Sequence, residues 1–356
     1  MKVAVIGGGI NGICCAWELA RRGHEVDLYE RGELMGATSS ASSKLLHGGL
    51  RYLEYGEFRL VREALRERHW WLQAAPELTR SLRILLPVYA GKDARPRWQL
   101  RIGLILYDLL AGRRRLGRHR WLSARSVLEE VPGLDPEGLR GAFAYYDGQM
   151  DDHALGLWAA RQAESAGVSV HEQTEVERVS TGGELYVAGE TRLYDRVVNV
   201  AGPWVGELMD ASELQPRYRI RAVRGSHLLF DRPPPAPMLL QHPDDGRVVF
   251  VLPWQDGMLL GTTEVAQPID QSPECTDEER DYLLEVYNRY LSPALKPQDI
   301  SSHFSGLRPL PDDGRAPTQA SREYEVERLD RLIGVYGGKW TTARALARQV
   351  ADMTEA

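Results

Sequence analysis

Residues 2–32, KVAVIGGGINGICCAWELARRGHEVDLYERG, constrain the fold more tightly than any other part of the chain. An apolar strand from Val3 to Ile6 runs into Gly7-x-Gly9-x-x-Gly12, an amphipathic helix follows, Gly23 turns the chain, and a second strand ends at Glu30. Strand, glycine turn, helix, strand and acid in this order are the βαβ fingerprint of a dinucleotide site. The glycines permit the tight turn and close approach of the pyrophosphate, the helix N-terminus offers amides to it, and Glu30 can accept from a ribose hydroxyl.

A chain of 356 residues is long for one layered core, so two lobes are expected. The α/β texture returns twice. DDHALGLWAARQAESAGVSVHE reads as a helix opened by Asp151 or Asp152 and stopped at Gly167, then the strand Val168 to His171, with short β segments as far as RVVNVAGPW. LIGVYGGKWTTARALARQVADM is again strand, glycine turn and helix. The fold class is therefore α/β: a discontinuous Rossmann-like domain, expected over 1–80, 145–215 and 325–356. The stretches 81–144 and 216–324 form the second domain, expected to be an antiparallel sheet with helices. The β texture of IRAVRGSHLLF, RVVFVLPW and MLLGTTEV supports the sheet, and Thr276 with Glu279 forms a capping box for one of its helices.

Two further stretches carry chemistry. ASSKLLHGGLRYLEYGE, residues 41–57, offers hydroxyls, an amine, adjacent glycines, Arg51 and Tyr52, which suits a loop in contact with a cofactor. Gly337-Gly338-Lys339 precedes a helix capped by Thr341 or Thr342, and such an N-terminus stabilises negative charge, as a reduced flavin carries around N1 and its C2 carbonyl. The formal charge of −6 gives no reason to expect a nucleic-acid partner, and no apolar run has the length of a spanning helix. MKVAVIGGG lacks the features of a leader peptide, and Cys14, Cys15 and Cys275 form no metal or CxxC pattern, so a reducing cytoplasm is expected.

VIGGGINGICCAWELARRGHEVDLYE, TSSASSKLLHGGLRYLEYGEFRLVREAL, RPRWQLRIGLILYDLL, VVNVAGPWV, RGSHLLF, RVVFVLPWQDGMLLGTTEV, SGLRPLPDD and GVYGGKWTT resemble, in the same order, the blocks of FAD-dependent glycerol-3-phosphate dehydrogenases. The resemblance implies FAD as cofactor on a fold like that of D-amino-acid oxidase. It implies cofactor contacts from Gly7, Gly9, Gly12, Glu30 and Arg31, then from Thr38, Ser42, Ser43, Lys44, His47, Gly48 and Gly49 as the loop passes to the flavin ring. Val176, Ala201, Gly202 and Trp204, and Gly338, Lys339, Trp340 and Thr341, complete that set. The resemblance implies that longer bacterial members continue into a helical C-terminal domain, so a short form without it is expected here, and Trp340 stands where the family usually has a smaller aliphatic residue.

The implied reaction is oxidation of sn-glycerol 3-phosphate to dihydroxyacetone phosphate by hydride transfer to flavin N5, with electrons passed to quinone or another acceptor. It needs a base, for which His227 in RGSHLLF is chosen and His47 is the rival, because imidazole titrates near neutrality. It also needs a phosphate clamp, for which Arg308, Arg322, Arg51 and Lys339 are chosen, with Tyr52 and Thr263 lining the same site. The alternatives are an FAD enzyme acting on another anionic 2-hydroxy or amino acid, and a flavin-holding subunit without chemistry. Residues 95–120 contain eight arginines and one acid around the apolar run IGLILYDLL, a pattern suited to peripheral contact with an anionic bilayer at the inner face of the cytoplasmic membrane. The competing reading is a buried helix with solvated basic flanks.

Overall fold

The unbroken apolar run Val3–Ile6 requires cover on both faces, and the strand it forms, Lys2–Ile6, lies inside a six-stranded sheet. The computed structural model describes residues 1–91, 95–242, 244–312 and 324–356. Its helices are α1 (Ile10–Arg21), α2 (Phe58–Ala74), α3 (Arg97–Ala111), α4 (Ala124–Glu130), α5 (Asp152–Ser165), α6 (Val205–Ala211), α7 (Asp277–Tyr290) and α8 (Ala343–Glu355). The first sheet runs in the order Glu325–Leu329, Leu332–Tyr336, Arg196–Asn199, Lys2–Ile6, Glu25–Tyr29, Val168–His171. All its pairings are parallel except the hairpin formed by the first two strands. Helices α1, α5 and α8 pack together over this sheet, with Ile13, Leu19, Leu155, Ala159, Leu346 and Val350 in one buried cluster.

The second sheet has ten strands. Ile220–Phe230, Gly257–Gly261, Val248–Trp254 and Met238–Gln241 run antiparallel, and Thr79–Tyr89 and Leu139–Met150 extend the layer. The sheet departs from the purely antiparallel expectation at one seam, where Met238 pairs with Leu85 in parallel. The expected divisions at 80/81 and 144/145 fall inside Thr79–Tyr89 and Leu139–Met150, both of which belong whole to the second sheet. Leu45–Leu46 also joins it, pairing with Gln149 and Gly148, so the loop that begins at His47 is suspended from its last strand.

Local chemistry sets the helix ends. Asp151 caps α5 by accepting from the Ala154 amide, and Thr276 with Glu279 closes a full capping box on α7. Thr342 occupies the N-cap position of α8, but its hydroxyl makes no capping bond; Thr342 contributes its carbonyl, which accepts from the amides of Ala345 and Leu346.

Candidate active site

One cavity of about 1200 Å³ runs from the ends of the parallel strands to the face of the second sheet. At its first end lie Gly7, Gly9 and the start of α1. Gly12 is behind the wall: a Cβ there would sit 1.8 Å from the Gly7 carbonyl oxygen, so its contribution is to let helix and turn touch. Glu30 leaves the second strand with its carboxylate held from both sides, Oε2 accepting from the Gly8 amide at 2.6 Å and Oε1 from the Gly32 amide at 2.8 Å. Arg31 stacks on Trp204 at 4.2 Å, and both line the cavity with Val176, Ala201 and Gly202.

The loop after Ala37 forms the middle wall through Thr38, Ser42, Ser43, His47 and Gly49. Thr38 Oγ1 donates to the Leu307 carbonyl, and the His47 amide donates to Thr341 Oγ1, joining the loop to both neighbouring segments. Lys44 and Gly48, expected at the cofactor, are struts behind the wall. Lys44 is buried with Nζ 2.6 Å from Asp152 Oδ1, and Asp152 Oδ2 accepts from Ser42 Oγ at 2.7 Å. The Gly48 amide donates to Tyr107 Oη at 2.8 Å, while that hydroxyl and Arg68 Nη1 both donate to Asp147. Burial pushes the Asp147 and Asp152 carboxyls up against the pull of Arg68 and Lys44.

At the far end, Arg308 projects over the strand Ile220–Phe230, Nη2 donating to Thr262 Oγ1 at 2.8 Å and Nη1 to the Thr263 carbonyl at 3.2 Å. Glu264 is 3.8 Å from its guanidinium. Gly225 makes room for it, since a Cβ there would meet Nη2 at 2.4 Å. Lys339 Nζ sits 3.7 Å from the centre of the Tyr52 ring, and Arg51, Tyr52, Lys339 and Arg308 all face the cavity. Arg322 lies outside the described residues.

Two expected residues are displaced. Past the end of the strand Gly257–Gly261, Thr262 lines the wall and Thr263 turns away, where its hydroxyl accepts from the Ser226 amide and donates to Glu279. His227 is fully buried and does not line the cavity; its Nε2 is 2.9 Å from Ser43 Oγ, and Ser43 does line it. The imidazole stacks on Phe304 at 4.7 Å. Burial first, then the charges of Arg308 and Lys44, hold its pKa well below the ordinary histidine value.

Residues 2–353 match the family of FAD dependent oxidoreductases. The chain is 41% identical over 366 residues to D-erythritol 1-phosphate dehydrogenase of Brucella abortus, covering 97% of this chain and 72% of that protein. It is 39% identical over 370 residues to the aerobic glycerol-3-phosphate dehydrogenase of Escherichia coli, covering 98% and 72%. Among solved structures it resembles the glycerol-3-phosphate dehydrogenase from Bacillus halodurans complexed with FAD, with a TM-score of 0.78 at 26% identity, over 99% of this chain and 64% of that one. The chain belongs to the FAD-dependent glycerol-3-phosphate dehydrogenase family.

For a member of this family the cavity's first end fits the cofactor it requires. The turn at Gly7 and Gly9 leaves backbone within reach of a pyrophosphate, and Glu30 is fixed where a ribose hydroxyl would donate to it. Asp147, Tyr107 and Arg68, which hold the loop at Gly48, carry no sequence motif, being an aspartate in a strand, a tyrosine in an apolar helix and an arginine in a charged one; Asp152 is legible only as a helix opener and also holds Lys44 and Ser42. Gly225 in RGSHLLF carries a signal of its own, since a glycine inside a strand marks a close approach, here that of Arg308.

Proposed function

We propose that this chain oxidises sn-glycerol 3-phosphate to dihydroxyacetone phosphate and passes the electrons to quinone or another acceptor. What supports the reading is that Arg308, Arg51 and Lys339 all line the same cavity as the dinucleotide turn, three cations available to a phosphate dianion. FAD, when bound by the residues from Gly7 to Thr341, supplies the hydride acceptor. The chain supplies the rest. Arg308 and Arg51 grip the phosphate, Lys339 adds positive charge beside Tyr52, and the C2 hydroxyl gives its proton to Ser43 Oγ as Ser43 gives its own to His227 Nε2. Direct abstraction by His227 is replaced in this scheme by abstraction through Ser43, because the imidazole is behind the wall.

Arg308 also links phosphate to proton. Its charge is among the causes that depress His227, and a bound dianion offsets that charge, so the substrate's own phosphate raises the basicity of the group that takes its proton. The test is Arg308→Ala. It is expected to lower kcat/KM for glycerol 3-phosphate by about thirtyfold or more, from roughly 2–5 kcal/mol for one partner of a buried charge pair, while scarcely changing the poor turnover of glycerol. Equal loss for both compounds would assign Arg308 to the fold.

A second reading, a four-carbon polyol phosphate, is favoured by the 41% identical relative and by the further polar lining that Gln241, Arg247 and Glu264 give the same cavity. Comparing kcat/KM for glycerol 3-phosphate and D-erythritol 1-phosphate decides between the two.

Peripheral membrane contact is part of the proposal. Among the described residues no helix is long and apolar enough to span a membrane. Helix α3 buries Leu104, Tyr107 and Ala111 and exposes Trp98, Ile102, Ile105 and Leu109 on its other side, with Trp98 66% and Leu109 69% accessible. Arginines at both ends of that face favour an anionic bilayer surface.

A further inference from the structure

Five of the nine tryptophans touch one another in a single chain of rings that begins at the cofactor cavity. Trp340 lines the cavity and lies 5.1 Å from Trp71, centre to centre, at 62°. Trp71 is 6.4 Å from Trp158, which is 6.0 Å from Trp17. Trp70 lies alongside, 5.1 Å from Trp71 and 6.1 Å from Trp17. Trp71 is fully buried, whereas Trp17 and Trp158 are half-buried, so the rings lead from the cavity through α2 and α5 to a surface of α1. Apolar packing alone asks for bulk here and is indifferent to whether the rings can be oxidised.

Two features bear on oxidation. Indole is readily oxidised by one electron, and the resulting cation stays mobile only if its N–H proton is retained. Trp340 Nε1 donates to the Ser39 carbonyl at 3.0 Å and Trp71 Nε1 to the Thr341 carbonyl at 3.3 Å; backbone carbonyls are too weakly basic to remove that proton. Arg344 stacks 3.4 Å over Trp70, and a cation in contact with a ring opposes creating a positive charge there. That disfavours the branch through Trp70 and leaves the branch through Trp158.

We propose that Trp340, Trp71, Trp158 and Trp17 form a one-electron path from the cofactor cavity to the surface, giving this chain a light-driven reduction of bound FAD by external thiols. Trp340, on the cavity wall, would give one electron to FAD held there when that group is photoexcited. Electrons then move from Trp71 to Trp340, from Trp158 to Trp71 and from Trp17 to Trp158, with no proton leaving the inner indoles. At the surface a thiol gives one electron to Trp17 and its proton to water, and two such thiyl radicals couple to a disulfide. Each photon thus moves one electron from thiol to cofactor without polyol phosphate.

The test uses the FAD-loaded protein under anaerobic blue light with dithiothreitol, reading flavin emission and the rate of flavin bleaching, with cofactor occupancy checked by absorbance. Trp340→Phe is expected to raise flavin emission severalfold and suppress photobleaching. Trp17→Phe and Trp158→Phe are expected to leave emission low and slow photobleaching severalfold, since the vacancy on Trp340 is then refilled from the cofactor, while bleaching in the dark by polyol phosphate is unchanged. Trp70→Phe is expected to bleach at the parent rate. Unchanged emission in Trp340→Phe overturns the proposal. So does parental photobleaching in both Trp17→Phe and Trp158→Phe, and slowing by Trp70→Phe without slowing by Trp158→Phe overturns the assigned route.

Discussion

At the residue scale the proposal rests on the arrangement of Arg308, Ser43 and His227. If the proton passes through Ser43, Ser43→Ala and His227→Asn should each slow flavin reduction by about a hundredfold, the usual contribution of general-base catalysis, and the double variant should be no slower than either. Rapid-mixing absorbance measures this; a slow His47→Asn with a normal Ser43→Ala would move the role to His47. If phosphate raises the basicity of His227, phosphite added separately should accelerate oxidation of glycerol and fail to do so in Arg308→Ala, read as initial rates against phosphite concentration. The depressed pKa of His227 also has a stability consequence. The unfolded chain binds a proton near the ordinary value of about 6.5 that the folded chain refuses, so stability is complete above that pH and falls below it. His227→Asn should flatten this loss between pH 7.5 and 5.5 in urea midpoints. The residue types were legible in RGSHLLF and SGLRPL, whereas their direction was not: His227 lies in the strand Ile220–Phe230, where alternation decides which side chains meet the cavity, and the sequence carries no reference for which face is inward.

At the element scale the sequence was most informative where periodicity and capping agree. The strand Val168–His171 and the capping box on α7 stand as expected from local residues alone. Helix α3 was ambiguous because an apolar run between arginines serves equally for burial and for a surface, and only the packing of Tyr107 and Leu104 against the second lobe reveals which side is left over. Its exposed face predicts that sedimentation with anionic vesicles falls as salt rises, and falls further when Arg113, Arg114 and Arg115 are changed to serine. Equal sedimentation with neutral vesicles would contradict this. The inner side of α3 holds Tyr107 under the loop at Gly48, sharing Asp147 with buried Arg68. Asp147→Asn leaves that guanidinium without its charge partner and should cost roughly 3–5 kcal/mol, measured by denaturant unfolding.

At the scale of the whole molecule, two sheets face one cavity: the parallel sheet contributes the dinucleotide turn and the segment carrying Lys339, the second sheet contributes Arg308. The fingerprint and the return of α/β texture disclosed the first sheet. The second was harder to delimit, because Leu45–Leu46, Thr79–Tyr89 and Leu139–Met150 come from segments far apart in the chain and pair only through tertiary structure. The measurement that bears most directly on the proposed activity is anaerobic mixing of the FAD-loaded protein with glycerol 3-phosphate, D-erythritol 1-phosphate, glycerol and a panel of 2-hydroxy and amino acids, following flavin absorbance. The account predicts rapid bleaching by a polyol phosphate and almost none by glycerol or the acids. Bleaching by an amino or hydroxy acid with none by either phosphate would contradict it.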